Sequence, residues 1–474
     1  MKPLHELTVQ EVHEGYRNHT FTCVQLVQHF LDRIKKYNPR LNIYLALNEH
    51  ALEQAAAVDR EIVEKGIDRE LLGIPLAIKD NFLTTGLTTT ASSYILKGFM
   101  PQYDSTVTEK LLAAGAIFLG KTNMDSFAHG SSTETSDFGP TLNPWNPKHL
   151  PGGSSGGSAA AIAAQLATAA LGSETAGSIR QPAAWVGITG FKPTYGRSSR
   201  YGVIAMASST DSPGPLARTV ADAALITQVI AGQDVKDATT SPLPVENYLG
   251  SLNKPDLQGL KIALVKEYLL PEMRSDVKEL ILAAADKLRS LGATVEEISL
   301  MDPQYAIGVY TVVQRSEVSS NLSRFDGIRF GHDRSAFGQE TKRRIMLGTY
   351  TLSAGYYDAF YKKAQAVRTK IIEEFAEVFK TYDAVIGAVS PGPALPIGAT
   401  KDQPMFGEME DILVEASSIA GLTSAGIPCG FVDGLPIGLQ ITCDQFQEEK
   451  ALMIADCYQQ NTSFNLFPDL DQTL

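Results

Sequence analysis

The sequence predicts an α/β protein in which helices cover both faces of a central, mixed and mostly parallel β-sheet. Short apolar runs alternate with helical patterns, as in TVTEKLLAAGA followed by AIFLGKT. Such apolar runs are typical of buried strands, and a sheet that is buried on both faces needs helices on each side. The alternation returns in the second half of the chain, so the α/β class extends over the whole sequence.

In the first part of the chain, residues typical of helix ends predict where the helices begin and stop. Thr22 precedes apolar residues at helical spacing and the run stops at Asn38-Pro39, which predicts a helix between these points. A second helix is expected at about Ala51 to Lys65, closed by Gly66. The apolar run LLGIPLAIKD then predicts a buried strand that ends in a charged residue, Lys79.

The later elements repeat this alternation. Strands are expected at KIALV, TVEEISL and AVIGAV, and helices at Ser275 to Leu291 and Tyr356 to Lys380. The 474 residues exceed the ~250 to 300 at which a single core usually stops growing. We nevertheless expect a single fused domain over residues 1–474, with the loop-like stretch 241–255 as a candidate lobe boundary.

Composition and charge restrict the class of protein. Hydrophobic residues make up 44% and charged residues 20%, which is typical of a globular protein. The net charge of −12 opposes strong unaided binding of nucleic-acid phosphates. The polar N-terminus and the lack of an apolar run of ~20 residues predict a cytoplasmic protein without a membrane span. Four cysteines lack zinc-ligand spacing and suit buried thiols in a reducing compartment: Cys23, Cys429, Cys443 and Cys457.

The first chemical motif is a Gly/Ser-rich turn before an Ala-rich helix, PGGSSGGSAAAIAA. The N–H groups at such a helix start can hold a phosphate or a developing oxyanion, and the motif alone does not decide between them. The lysine of a GxxxxGK[ST] phosphate loop is absent, which disfavours nucleotide binding. A tight turn without any chemistry is the structural alternative.

The second motif, LGSETAGSIRQPAAW, places Ser178 after an elbow of small residues. A serine on such an elbow can be exposed as a nucleophile. The backbone N–H groups of Thr175, Ala176 and Gly177 can then stabilise a tetrahedral oxyanion, at about 3 kcal/mol per donor.

A serine nucleophile needs a base, and no histidine of this sequence is signalled for that role. Lys79 is a candidate, because burial at the end of an apolar strand lowers the pKa of a lysine towards neutrality. The required fall of roughly three units, or ~4 kcal/mol, lies within the range known for buried lysines. The structural alternative is a lysine that reaches solvent at the strand edge or pairs with Asp80.

Together these motifs resemble the amidase signature family, through GIPLAIKDN, PGGSSGGSAAA and AGSIRQPAAWVGITGFKPTYGRSSRYG. The resemblance implies the amidase-signature fold, with its core at about residues 70–220, and a Ser-cisSer-Lys triad. In that triad Lys79 is the base, Ser154 lies in a cis peptide and relays the proton, and Ser178 attacks the amide carbon. No metal or cofactor is implied for this chain.

Further stretches resemble the branch of the family that hydrolyses glutamine as the A subunit of tRNA-dependent amidotransferases. They include MDSFAHGSSTETSDFGPTLNPWNPKHLPGG and KRRIMLGTYTLSAGYYDAFYKKAQAVR. The branch implies two partner proteins, the B and C subunits of such an enzyme. Ammonia would pass to the B subunit, which contacts the charged tRNA and activates Glu-tRNA(Gln) or Asp-tRNA(Asn) with ATP and magnesium. An anionic surface on the A subunit is compatible with this arrangement, because the B subunit is the one that contacts tRNA.

The resemblance also implies a glutamine site formed by Ser131, Arg344 and Asp411. A guanidinium pairs with the α-carboxylate of an amino acid, and a carboxylate accepts from its ammonium. On residue pattern alone, Arg344 is a solvated or helix-pairing arginine beside Arg343 in the run KRR, and Asp411 is a helix residue in EMEDI.

The elbow departs from the common pattern of the family. Where relatives read GTDTGGS, this chain reads GSETAGS, so Glu174 and Ala176 replace aspartate and glycine. If position 176 required a positive φ, the Cβ of alanine would cost roughly 1 kcal/mol and displace the oxyanion donors. Two other functions therefore stay open: a stand-alone amidase of small amides, and a non-catalytic scaffold protein of the same assembly.

Overall fold

The computed structural model describes residues 2–328, 331–399 and 409–474 of the chain. The α-helices within these ranges are Val9–Arg17 (α1), Cys23–Leu41 (α2), Ala51–Lys65 (α3), Thr106–Ala113 (α4), Gly156–Ala163 (α5), Arg180–Val186 (α6), Val220–Ile230 (α7), Ser275–Ser290 (α8), Gln304–Asn321 (α9), Gln339–Leu352 (α10), Lys363–Val378 (α11), Glu415–Ile419 (α12), Glu448–Gln460 (α13) and Leu470–Thr473 (α14). The strands are Tyr44–Leu47 (β1), Pro75–Lys79 (β2), Ile117–Thr122 (β3), Ala169–Glu174 (β4), Thr189–Lys192 (β5), Ser212–Ala217 (β6), Lys261–Val265 (β7), Thr294–Ile298 (β8), Ala384–Ala388 (β9), Thr423–Val432 (β10) and Leu435–Cys443 (β11). None of the helices described is both long and apolar enough to cross a membrane.

The eleven strands found in the described ranges form one sheet, in the order β1-β3-β2-β4-β6-β5-β10-β11-β9-β7-β8. Strands β2, β3 and β4 pair in parallel, and so do β7, β8 and β9. The remaining pairings are antiparallel. The α/β class and the mixed sheet are confirmed, but parallel pairs are confined to two groups of three strands and antiparallel pairs outnumber them.

A hairpin explains part of this excess of antiparallel pairs. Only Asp433 and Gly434 separate β10 from β11, and their φ angles are +53° and +75°. A two-residue turn with both φ angles positive reverses the chain and joins antiparallel neighbours. Asp-Gly between apolar runs is the sequence signal of this turn.

The sheet is covered on both faces around the chemical motifs. Every residue of β2, β3 and β4 is buried. Because successive side chains of a strand point to opposite faces, full burial requires packing on each side. The helical layers expected from the apolar strand runs are therefore present.

The predicted helix after Thr22 is confirmed, with a correction at its end. The Thr22 hydroxyl accepts from Gln25 N and the Gln25 side chain accepts from Thr22 N, which forms a capping box. The helix does not stop at Asn38-Pro39 but continues to Leu41. Pro39 has no N–H to donate within the helix, but the turn still closes after it, where the Asn42 N–H donates to the Asn38 carbonyl at 2.8 Å.

The other predicted elements lie close to their expected positions. The helix closed by Gly66 spans the predicted residues. The long helix expected from Tyr356 begins instead with a π-helical turn, Asp358–Lys362, which continues into α11. In the stretch 241–255, Tyr248 is fully buried although most of its neighbours are exposed. The division of the chain into one domain stays a prediction.

Candidate active site

The candidate site lies where two neighbouring parallel strands end. Strands β2 and β4 run side by side, so their carboxyl ends meet at one edge of the sheet. At this edge Lys79 Nζ donates to Ser154 Oγ at 2.8 Å and to the carbonyl and hydroxyl oxygens of Ser173, each at 3.0 Å. The Asn81 amide also donates to Ser173 Oγ, at 2.9 Å. A lysine and two serines thus form one buried hydrogen-bonded group.

Burial makes this lysine a proton acceptor near neutral pH. Lys79 is fully buried, and desolvation lowers its pKa to about 7, although the carboxylates of Asp125, Asp211 and Glu174 act in the opposite direction. Neither structural alternative applies. The side chain does not reach solvent, and Asp80 lies 3.4 Å from Lys121 instead.

The loop before α5 brings Ser154 to this lysine. The Gly153–Ser154 peptide bond is cis. Ser154 accepts from Asp125 N through its carbonyl oxygen at 3.2 Å. Ser155 N donates to the Ser178 carbonyl at 3.1 Å, which ties this loop directly to the loop of the predicted nucleophile.

The two glycines that begin α5 serve close packing. A Cβ on Gly156 would overlap the Thr133 hydroxyl, and one on Gly157 would overlap the Asn123 carbonyl. The Gly157 N–H group already donates to the Asn123 carbonyl, at 3.0 Å. Close packing is therefore the role that the structure shows for these two glycines.

The elbow that carries Ser178, the predicted nucleophile, connects β4 to α6 and is closed by a buried carboxylate. Glu174 Oε2 accepts from the N–H groups of Ile179 and Arg180, each at 3.0 Å, and so spans the residues that carry Ser178. Glu174 Oε1 also forms an ion pair with Arg180, and both side chains are fully buried. Ala176 is not among the residues with positive φ. The expected penalty for a Cβ at that position therefore does not arise.

Gly177 leaves space for Asp411, a residue that is predicted to bind substrate. A Cβ at this position would overlap Asp411 Oδ1 and lie 2.7 Å from Val414. Ser131 Oγ donates to Asp411 Oδ2 at 2.7 Å. Two of the predicted glutamine-binding residues therefore contact each other, directly beside the residue that precedes Ser178.

The segment that carries Ser131 is held by a carboxylate that sequence reasoning missed. Asp125 Oδ2 accepts from the N–H groups of Ser132 and Thr133 at 3.1 and 2.9 Å. Its burial raises the pKa of its carboxyl group, and these hydrogen bonds oppose the rise. Asp125 thus shapes the 131–133 turn, although nothing in its position along the sequence marks it for this role.

Arg344 rather than Arg343 is the arginine that points inward from α10. The Arg344 side chain is 4% exposed and that of Arg343 is 43% exposed, although each pairs with Glu340. Thr341 Oγ1, one turn earlier, lies 3.3 Å from His129 Nδ1. Burial lowers the pKa of His129, and the charge of Arg344 lowers it further. Helix α10 therefore places Arg344 near the segment that continues to Ser131.

Two further residues near the elbow were not predicted. Ser173 is the second residue that accepts from Lys79. Its position near the carboxyl end of β4, a strand parallel to β2, could have identified it from the sequence.

Asp211 accepts from the Thr175 hydroxyl at 2.7 Å, and burial raises its pKa to about 6. Asp211 also borders a cavity of about 550 Å³, whose wall includes Arg200 and Phe325. A volume of this size suits a small molecule.

Similar proteins share both the sequence and the fold. Residues 25–452 match the family model described as Amidase. The chain is 48% identical to a glutamyl-tRNA(Gln) amidotransferase A subunit from Marinomonas sp., over 97% of this chain and 98% of the relative. The crystal structure of the corresponding A subunit from Thermotoga maritima is 38% identical, covers 99% and 98% of the two chains and has a TM-score of 0.83. A peptide amidase from Stenotrophomonas maltophilia is 32% identical, covers 99% of each chain and has a TM-score of 0.87.

Proposed function

The chain belongs to the amidase signature family, and from this premise we propose that it is the glutamine-hydrolysing A subunit of a tRNA-dependent amidotransferase. Near-full-length identity of 47 to 49% to relatives with that name supports the proposal. The fold alone does not separate it from a stand-alone amidase, because the peptide amidase superimposes equally well.

The observation that carries the substrate assignment is the position of Asp411. Its carboxylate lies against Gly177, one residue before the nucleophile, and is held there by Ser131. A carboxylate at this place pairs with the α-ammonium of glutamine, and the inward-pointing Arg344 supplies a cation for the α-carboxylate. A simple amide offers neither charge, so these residues favour an amino acid as substrate.

The proposed reaction is an acyl transfer through Ser178. Its Oγ attacks the side-chain amide carbon of glutamine while its proton passes to Ser154 and the Ser154 proton passes to neutral Lys79. The oxyanion is stabilised by N–H groups of the elbow at Thr175, Ala176 and Gly177. The protons return along the same path to the leaving ammonia, and water then releases glutamate from the acyl-enzyme.

The ammonia serves a reaction on partner proteins. The B subunit binds the charged tRNA and uses ATP and magnesium to activate Glu-tRNA(Gln) or Asp-tRNA(Asn), and the C subunit completes the assembly. This chain needs no metal or cofactor for its own step. The proposed location is the cytoplasm, where charged tRNA is used. The net charge of −12 supports an arrangement in which the B subunit makes most tRNA contacts.

The first test compares wild type with Ser178→Ala, each co-expressed with the B and C subunits and checked for an intact complex. Ammonia release from glutamine is expected in the wild type and absent in the variant. With free ammonia supplied, the Ser178→Ala complex should still amidate Glu-tRNA(Gln). A wild type that amidates with ammonia but never with glutamine would identify a non-catalytic scaffold instead.

A second test addresses substrate recognition. Asp411→Asn keeps the shape of the side chain but removes its charge, and loss of a charged hydrogen bond costs ~1.5 to 3 kcal/mol. The KM for glutamine should therefore rise by about 10- to 100-fold, with a smaller fall in kcat. An amide without α-amino and α-carboxyl groups should be a poor substrate for the wild type. Equal turnover of that amide and glutamine would favour the stand-alone amidase.

A further inference from the structure

His129 carries a fully buried imidazole with one nitrogen that lacks a partner. Its Nδ1 lies 3.3 Å from the Thr341 hydroxyl, and the residue has no exposure to solvent. Among the residues that the structure describes, none forms a hydrogen bond with its Nε2. Buried polar atoms without a partner are uncommon, because each raises the free energy of the folded protein. A bound molecule that supplies the missing hydrogen bond would remove this penalty.

The short segment 129–131 reaches both sides of the predicted amino-acid site. His129 contacts Thr341, which lies on the same buried face of α10 as Arg344, because residues spaced by three share a helix face. Ser131, two residues after the histidine, donates to Asp411 at 2.7 Å. The segment therefore brings the imidazole to the arginine side of the site and the Ser131 hydroxyl to the carboxylate side.

The chain before His129 has a conformation that its surroundings fix. Phe127 and Ala128 have positive φ angles, of +52° and +62°. These angles are unfavourable for residues with a Cβ, and they cluster at functional sites. The Phe127 ring packs against the rings of Phe325 and Phe337, with centroids 5.4 and 5.5 Å away. The imidazole is thus held in place before any substrate binds, which lowers the entropy cost of binding.

The charges around this imidazole favour an anionic partner. Burial, together with the charges of Arg344 and Arg315, holds the pKa of His129 well below its ordinary value, so the ring is uncharged at neutral pH. These two guanidinium groups disfavour a cation at Nε2. The Thr341 hydroxyl can donate to Nδ1, and the ring proton then lies on Nε2 as a hydrogen-bond donor. A carboxylate is the partner that matches such a donor near two cations.

We propose that His129 is a further substrate-binding residue, whose Nε2–H group donates to the α-carboxylate of glutamine beside Arg344. The inference rests on the proposed function for the identity of this amino acid. Arg344 supplies the charge that attracts the carboxylate, and the histidine adds a directional donor without adding a charge. His129 therefore helps the site to select a free amino acid over an amide that lacks the carboxylate.

The experiment compares wild type, His129→Leu and His129→Gln, each in a complex with the B and C subunits. The substrates are glutamine, γ-aminobutyramide, which lacks the α-carboxylate, and glutaramate, which lacks the α-amino group. In His129→Leu the KM for glutamine and for glutaramate should rise roughly 10- to 100-fold, whereas kcat/KM for γ-aminobutyramide should stay at the wild-type value. His129→Gln, which keeps an N–H donor near the position of Nε2, should recover most of the loss. Amidation of Glu-tRNA(Gln) with supplied ammonia shows that each complex is intact.

Thr341→Val is a second variant, which keeps the imidazole but removes the hydroxyl that orients it. We expect a smaller rise in KM, again confined to the substrates that carry a carboxylate. If His129→Leu does not assemble, this variant decides the question. Equal losses on all substrates, or an unchanged KM for glutamine, would overturn the role of His129 but not the proposed function. A wild type that hydrolyses γ-aminobutyramide as well as glutamine would overturn both.

Discussion

Lys79 shows how one residue acquires its chemistry from its position in the sheet. An apolar strand, β2, carries the ammonium group into a site without solvent, and the hydroxyls of Ser154 and Ser173 receive its hydrogen bonds. Desolvation disfavours the charged form more than three nearby carboxylates favour it. The lysine is therefore neutral over the upper part of the physiological pH range.

This titration predicts the pH dependence of glutamine hydrolysis. Only neutral Lys79 accepts a proton, and its pKa is lowered to about 7, so kcat/KM should fall about tenfold per pH unit below this value and level off above it. The check is a profile from about pH 6 to about pH 8. Lys79→Arg stays protonated and should remain inactive throughout.

Lys192 provides the control for that profile. Burial lowers its pKa to about 7 as well, but its ammonium group donates to the Pro193 and Leu422 carbonyls, away from the triad. Lys192→Met should keep the inflection of the wild type. If the inflection disappears in Lys192→Met, Lys79 is not the group that titrates.

Gly177 leads to a second prediction at the scale of single residues. In Gly177→Ala the new methyl group would overlap Asp411 Oδ1, so Asp411 must move away from the substrate. Overpacking of this kind costs ~1 to 3 kcal/mol, and kcat/KM for glutamine should fall by about 10- to 100-fold. The matched variant, Ala176→Gly, should stay within about threefold of wild type, since Ala176 has no positive φ. Similar losses in both variants would contradict this explanation.

The sequence was informative about reactive residues but not about the residues that hold them. Lys79 follows an apolar run, and Ser178 follows small residues, so each carries a local signal. Asp125 supports Ser131 through hydrogen bonds to residues 132 and 133, and Asp411 reaches Gly177 from a distant part of the chain. Such contacts depend on tertiary packing, which no local pattern encodes.

At the scale of elements, the ion pair of Glu174 and Arg180 joins the elbow to a distant helix. Arg180 Nη1 and Nη2 donate to Ser417 and Ser418 of α12, at 3.0 and 2.8 Å. Glu174 meanwhile accepts from the N–H groups of Ile179 and Arg180, at the start of α6. The substitution of glutamate for the usual aspartate of the family is therefore compatible with a closed elbow.

Arg180→Ala should destabilise the protein more than the loss of an exposed pair does. It leaves the Glu174 carboxylate buried without its cation, which costs ~3 to 5 kcal/mol. Urea denaturation should show this fall in the free energy of unfolding. Lys380→Ala, which removes an exposed pair with Glu377, should change stability by less than ~1 kcal/mol. Equal changes in the free energy of unfolding in both variants would mean that the buried pair stabilises the protein no more than the exposed pair does.

Element boundaries were predictable where a local cap or turn defines them. The Thr22 capping box and Gly66 mark helix ends in the sequence, and both predictions are confirmed. The end of α2 was placed too early, because the proline removes one hydrogen bond but the helix continues past it to Leu41 and ends at Asn42, which has a left-handed conformation. Strand direction depends on which strands become neighbours. The Asp-Gly turn between β10 and β11 is a local signal of an antiparallel pair, from which no prediction was made.

At the scale of the whole molecule, the core encloses every thiol. Cys23, Cys429, Cys443 and Cys457 are free and buried, and burial raises the pKa of Cys23 and Cys429 to about 12. Native protein should therefore react with no more than a trace of a thiol reagent such as an aromatic disulfide. The unfolded protein should react at all four positions. Rapid reaction of a native thiol would show that the core opens around it.

The strand order has a consequence for the newly synthesised chain. All three triad residues leave the ribosome before β10, the neighbour of β5, has been made, and Asp411 also follows much later. At about 5 to 20 residues per second this delay lasts on the order of tens of seconds. If Ser178 and Asp411 have the roles proposed above, a nascent polypeptide contains its nucleophile long before it can recognise glutamine. We then expect that unfinished chains release no ammonia.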